Sequence, residues 1–428
     1  MSITPEEGSA LGAEFDPFAG DSAAWYAFMQ RARREEPVFY SPEIDYWVVT
    51  RWDDVMAVLH DSETFSSANT LDPIKAPCPA TLETMGAYGI KPGASLVNLD
   101  PPAHGLARQA YRKSFTPERV AALEPRTGEL VEEALDRIAG RGEADLVRDL
   151  MWDVPAKVAF LFMGVPESEL ENVKANTARL ATFSWGVPDD DHQVELATAL
   201  GEYWHFAEQQ VDRMLDDPPG ENLMGDLIRA SRTPGNEELF GRDDLCWTFM
   251  NTLMAGHETT TNASAAGFRA LLEHRDQWEA LCADPGLIPN AVEEILRYDS
   301  SVPTWRRVTT RPASVGDADL PEGAKLLIAL GSANRDETRF ADGERFDIRR
   351  ENAKEQIAFS WGRHTCLGAR LARMEMKTVL ERVTRRLPHM RLVADQQWAY
   401  PPNTSHRGPE HVLVTWDPAQ NPIPADRP

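Results

Sequence analysis

The stretch FSWGRHTCLG, residues 359–368, decides how the rest of the chain is read. Cys366 stands in a loop punctuated by Gly362 and Gly368, and helix-forming sequence, GARLARMEMKTVLERVTRRL, follows directly behind it. Phe359, Gly362, His364, Cys366 and Gly368 spell F-x-x-G-x-H-x-C-x-G. With each letter at about 5% usage, chance supplies the pattern in roughly one such chain in ten thousand. Taken alone, Cys366 reads as a buried structural cysteine. The surroundings favour more. Glycines let a backbone approach a flat partner closely, and a sulfur at the start of a helix meets N–H groups and the positive end of the dipole, which favour a thiolate.

The chain has 428 residues, with 44 Lys and Arg against 68 Asp and Glu, a net charge of −24. This length can bury a large core and a sizeable ligand. So acidic a surface repels nucleic acid and anionic membranes. The N-terminal residues have neither the basic nor the apolar region of a signal peptide. The most apolar run, VAFLFMGV at 158–165, falls far short of the ~20 residues that span a bilayer; it reads as buried helix. Cys78, Cys246, Cys282 and Cys366 are scattered without a CxxC pair, which fits free thiols in a reducing compartment. The expectation is a cytoplasmic monomer with no membrane or nucleic-acid partner.

Helical periodicity dominates. DSAAWYAFMQRARRE follows an Asp cap, PERVAALEPRTGELVEEALDRIAG opens with proline and ends at glycine, and DDLCWTFMNTLMAGHETTTNASAAGFRALLEH reads as one helix of about 30 residues, roughly 45 Å long. LIPNAVEEILRYDSS and the segment after Cys366 add further helices. VFYSPEIDYWVVT, PASVGDADLPEGAKLLIAL and HVLVTW are strand-like. The fold class is mainly α with small β-sheets, read as a single domain over 1–428.

A lone thiolate is a poor zinc site, since zinc wants about four ligands; a single axial thiolate is what haem iron accepts. The long helix has a strange centre, LMAGHETTTNAS, in which Gly256, three threonines and Asn262 all have poor helix propensity. Threonine hydroxyls can bond backwards to carbonyls. Apolar flanks imply that this polar stretch is buried, which marks a site. HETTT is not a metalloprotease motif, because Thr261 stands where HExxH needs histidine.

These motifs, in this order, resemble the cytochrome P450 superfamily over nearly the whole chain. The resemblance implies the P450 fold, haem b and O2, with Cys366 as the iron ligand, Phe359 packed by the sulfur, and Gly368 beside them. Ser360 and Trp361 depart from the glycine and small residue often found there. Ala255, Gly256, His257, Glu258, Thr259 and Thr260 match A-G-x-[DE]-T-T: Ala255 and Gly256 leave room over the iron, while Glu258 and Thr259 deliver protons to oxygen, an acid and an alcohol shuttling them from water. Glu294 and Arg297 match E-x-x-R, and Arg345 is assigned as the third member of that buried triad. His104, Arg108, Arg307 and His364 are assigned to the two propionates.

With no complete G-x-G-x-x-G, P-loop or cysteine quartet, and no reductase before the sequence stops at Pro428, electrons are expected from NAD(P)H through a separate ferredoxin or flavodoxin and its reductase. Arg112, Lys113, Arg363, Arg370, Arg373, Lys377, Arg382, Arg385 and Arg386 form a candidate docking patch. Pocket walls are expected from residues 96–98, Met254 and Ala255, residues 302–304, and PPNTSHRG around Asn403. The C-terminal part looks like the haem domains of bacterial forms fused to a reductase, which points to small aromatic or aliphatic substrates. The rival readings are a haem-thiolate enzyme using peroxide or catalysing coupling or isomerisation, and a non-catalytic haem binding or gas-sensing protein.

Overall fold

The computed structural model describes residues 9–420 except 21, 92, 94, 218, 219, 237 and 238. Asp21, read as a helix cap, and the first eight residues of the N-terminal segment lie outside that range.

The segment with the polar centre forms one helix, Arg242–Glu273, of 32 residues, with Asp243 and Asp244 in its first turn where they complement the dipole. This central helix packs against the helices Asp153–Met163, Leu170–Trp185, Asp190–Asp216 and Ile288–Tyr298. Its polar centre is buried, as its flanks implied: His257, Glu258, Thr260, Thr261 and Ser264 are all inside. Each buried polar group then needs a partner. Thr259 bonds back to the Ala255 carbonyl at 2.8 Å, Thr261 donates to the Met151 carbonyl at 2.7 Å, and His257 Nε2 lies 3.1 Å from the Trp152 carbonyl.

The apolar run at 158–165 lies mostly in the buried helix Asp153–Met163, which stops at Gly164 with φ +79; glycine takes this left-handed terminal conformation at no Cβ cost. PERVAALEPRTGELVEEALDRI forms the helix Pro117–Ile138, where Thr116 caps the N-terminus by accepting from the Arg119 N–H. No helix among the described residues is long and apolar enough to cross a membrane.

The strands assemble as small sheets. VFYSPEIDYWVVT folds into the antiparallel pair Val38–Ser41 and Tyr46–Val49. Tyr46–Val49 pairs in parallel with Lys325–Ile328, which pairs with Trp305–Thr309, which pairs with Phe65–Ser66, making five strands. WRRVTT, read only as a source of cations, supplies one of these strands, and its alternation turns Arg306 and Arg307 to opposite faces of a buried sheet. Leu413–Thr415 joins Glu143–Asp145 and Arg391–Leu392 in a second sheet.

The Glu-x-x-Arg pair is real and its third member is corrected. On the helix Ile288–Tyr298, Glu294 and Arg297 are 0% exposed and bonded twice, Arg297 Nε to Oε2 at 2.7 Å and Nη2 to Oε1 at 2.8 Å. The second arginine on Glu294 is Arg350, whose Nε lies 3.2 Å from Oε2. Arg345 was expected there, but its side chain is 69% exposed and faces Asp347; only its carbonyl joins the network, accepting from Arg297 and Arg350. The backbone between them is irregular, so no period dictates which of Arg345, Arg349 and Arg350 turns inward. Arg350 does, anchored further by the carbonyls of Ala341 and Asp342.

Candidate active site

A cavity of about 280 Å³ separates the central helix from the cysteine loop. Cys366, Phe359 and Gly368 line it from one side, Ala255, Gly256 and Thr259 from the other. On the cysteine side the backbone is shaped before the helix starts. Ser360 and Gly362 have φ of +60 and +74, and a Cβ at Gly362 would meet the Leu59 carbonyl oxygen at 2.9 Å, so glycine is required there twice over. Cys366 N donates to the Phe359 carbonyl at 2.9 Å, closing the loop. The helix begins at Ala369, three residues past the cysteine.

Burial pushes the Cys366 thiol up, against the N–H groups of Gly368 and Ala369 and the charges of Arg108 and Arg373, which pull it down. The expected helix-end donors, the N–H groups of Gly368 and Ala369, are in place. Phe359 lies beneath the Arg373 guanidinium, 4.6 Å from ring centre to carbon, and Arg373 is held by Glu293 at 2.6 Å.

The four residues assigned to propionates converge. His104 and His364 have ring centres 4.1 Å apart. Both ring nitrogens of His104 and Nε2 of His364 are buried without a hydrogen-bond partner. Burial, with Arg108 next in weight, depresses His104 to about 4, and burial with Arg307 and His104 depresses His364 further. Arg108 donates to the Thr365 carbonyl at 2.6 Å, and the buried Arg307 guanidinium donates, among the described residues, only to the Arg306 carbonyl at 2.6 Å. Asp100 is the acid whose charge acts on both His104 and Arg307, and it is already engaged by Ser66 and the Ser67 N–H. Buried donors and cations with so little counter-charge fit a dianionic ligand.

On the opposite wall, Thr259 turns its oxygen to the cavity while its hydroxyl proton is donated to Ala255. Glu258 is turned aside: it is not a lining residue, its Oε2 lies 3.1 Å from His406 Nδ1, and its Oε1 is buried without a partner.

A family profile described as Cytochrome P450 matches residues 286–397, the span holding the Glu294 network and Cys366. The cytochrome P450 monooxygenase PikC of Streptomyces venezuelae is 34% identical over 95% of this chain and 94% of its own. The chain belongs to the cytochrome P450 family. The P450 haem domain of Tepidiphilus thermophilus superposes with a TM-score of 0.91 at 39% identity, covering 96% of this chain and 99% of that one. An intact type IV self-sufficient cytochrome P450 monooxygenase superposes with a TM-score of 0.93 at 44% identity over 99% of this chain, which spans 56% of that protein. The likeness to reductase-fused haem domains read from the C-terminal part is thus found. As a P450 monooxygenase the protein is an oxidoreductase, and its family implies haem and O2.

Not every P450 pocket residue falls where the sequence placed it. Leu96, Val97, Met254, Ala255 and Val302 line the cavity; Asn98, Pro303, Thr304 and Asn403 do not. Asn403 instead holds the loop, its Oδ1 accepting from the N–H groups of Ser405 and His406 at 3.0 and 2.6 Å. The segment PPNTSHRG does reach the cavity, through His406, while Trp185, Trp305 and Glu375 are among the lining residues not read from the sequence. The partner of His406, Glu258, is remote from it in sequence. Glu375 is buried on the helix Ala369–Arg386, with Oε2 unpartnered and its pKa raised well above the carboxylate range by burial. Its signal was readable: Leu371, Glu375 and Val379 recur at i+4, so a carboxyl stands in an apolar stripe.

Proposed function

We propose that the chain is one haem-thiolate monooxygenase domain over residues 1–428 that inserts one atom of O2 into a small organic molecule and releases the other as water. Two electrons, originating from NAD(P)H, and two protons complete the balance: RH, O2, two electrons and two protons give ROH and water. The observation that carries this reading is a lone cysteine facing the Thr259 wall across one cavity, beside a buried histidine–arginine cluster short of negative charge.

In this reading Cys366 ligates the iron of haem b, with Phe359 packed by the sulfur, and His104, Arg108, Arg307 and His364 hold the propionates. Bound haem supplies the oxygen-activating redox chemistry. Ala255 and Gly256 keep the opposite wall low. The Thr259 oxygen presents a lone pair and a hydrogen that can turn from the Ala255 carbonyl toward the cavity. Glu258, buried and with Oε1 unpartnered, accepts a proton from the solvent side on that oxygen and passes it toward Thr259 while Oε2 stays on His406. Retention of this acid–alcohol pair favours dioxygen over peroxide.

The electron donor is proposed to be an acidic ferredoxin or flavodoxin. Much of the candidate docking patch is spoken for: Arg373 pairs with Glu293, Lys377 with Glu124 and Glu381, and Arg382, Arg385 and Arg386 with Glu132. Arg363 donates to Ser62. Among the described residues Arg112, Lys113 and Arg370 carry no ion pair and are exposed, so they are the cations open to a partner's carboxylates.

The reading is tested on purified protein. The reduced carbonyl adduct should show the thiolate spectrum, Cys366→Ser should abolish it, and labelled O2 should appear in the product. A histidine-like adduct, or label only from peroxide, overturns the reading.

A further inference from the structure

His406 is unusual among the lining residues in having both ring nitrogens accounted for by chemistry. Nδ1 faces Glu258 Oε2 at 3.1 Å, with both side chains buried. The tautomer that suits a carboxylate, which accepts only, has its hydrogen on Nδ1 and leaves Nε2 as the acceptor. Among the described residues no group hydrogen-bonds that nitrogen, and His406 lines the cavity.

The ring is also held still. The Trp185 ring centre lies 4.4 Å from it. Asn403 captures the His406 N–H, the Thr404 N–H donates to the Trp185 carbonyl at 3.0 Å, and the Arg407 N–H donates to the Ser301 carbonyl at 2.9 Å. Arg407 sends its own charge the other way, to the Ala19 carbonyl and over Trp25 and Tyr400. Trp185 and Trp305, with ring centres 5.8 Å apart, both line the cavity beside this nitrogen's ring. A fixed acceptor next to an aromatic wall selects a flat molecule carrying a hydrogen-bond donor.

We propose that His406 is a specificity-determining residue whose Nε2 accepts a hydrogen bond from the hydroxyl of a small aromatic substrate, a phenol, while Glu258 fixes its tautomer through Nδ1. This rests on the monooxygenase reading above and names a substrate class for the same cavity. Thr259 and Asn251 also keep accepting oxygens, their donors being spent on the Ala255 and Trp247 carbonyls, so loss of the preference in a His406 variant is what distinguishes His406 from them. Discrimination by a missing partner follows from the cost of leaving a buried acceptor unpaired.

The test uses the haem-loaded protein and reads dissociation constants from the ligand-induced change in the visible spectrum. Wild type should bind 4-propylphenol about five- to tenfold tighter than propylbenzene. His406→Phe should erase that preference. His406→Asn, too short to reach both Glu258 and a ligand, should do the same if the phenylalanine variant folds poorly. Glu258→Gln should shrink it, because an amide can also donate to Nδ1 and so releases the tautomer. An equal preference in wild type and His406→Phe overturns the proposal. So does tightest wild-type binding of 4-propylbenzoate, which would mean a cationic ring selecting anions. A protein without the thiolate spectrum fails the wider reading; one that has it but shows no phenol preference fails this proposal alone.

Discussion

On the cysteine side of the cavity, Phe359, Gly362, His364, Cys366 and Gly368 come from one run of consecutive residues, and the local backbone alone sets most of their positions. The facing wall draws on Leu96, Trp185, Ala255, Val302 and His406, which tertiary packing brings together from across the chain. The first side is mounted on paired charge: partly buried Glu293 holds Arg373 and Gln356, and adjacent, fully buried Glu294 holds Arg297, Arg350 and the Asp347 N–H. The second side rests on one carboxylate–imidazole contact and a tryptophan ring tilted against the imidazole. A contiguous, charge-braced side suits a chemistry that does not vary; an assembled side can change its ligand one residue at a time.

The largest test of that contrast is on the braced side. Arg350→Ala removes one of the two arginines on buried Glu294, which keeps Arg297, and should cost ~1–3 kcal/mol, seen as a drop in thermal midpoint. Arg345→Ala, exposed, should stay within about 0.5 kcal/mol; equal losses for the two would return Arg345 to the triad. On the assembled side, Glu258→Gln should lower turnover by ~100-fold, in the range of a lost general acid, while leaving stability nearly unchanged. A thermal midpoint that falls as far as that of Arg350→Ala would erase the contrast. The smallest effect is expected at Ser360, a non-glycine at φ +60 with its hydroxyl buried and unpartnered. Ser360→Gly relieves a left-handed strain of ~1 kcal/mol and should raise the midpoint slightly; a fall would mean that the hydroxyl holds the loop.

The same division explains what could be read from the chain alone. The cysteine loop, the polar helix centre and the Glu294–Arg297 pair are short-range patterns, so their elements and partners were legible. Ser360 was legible as a departure, and its positive φ supplies the reason why glycine is often found there. Arg350 was not legible, because three arginines lie close together in an aperiodic stretch. Which cations of the candidate docking patch stay unpaired was not legible, because Glu124 and Glu132, on the helix Pro117–Ile138, pair with Lys377 and with Arg382, Arg385 and Arg386, far away in sequence. His406 needed Glu258, and nothing local links them.

Arg373 sits between these accounts. It is partly exposed, bound to Glu293, and laid on the face of Phe359. A carboxylate arriving from solution competes with Glu293 for the same guanidinium. That guanidinium rests on the ring of Phe359, whose carbonyl accepts from the Cys366 N–H, so whatever draws Arg373 away from Glu293 also unloads the residue that closes the cysteine loop.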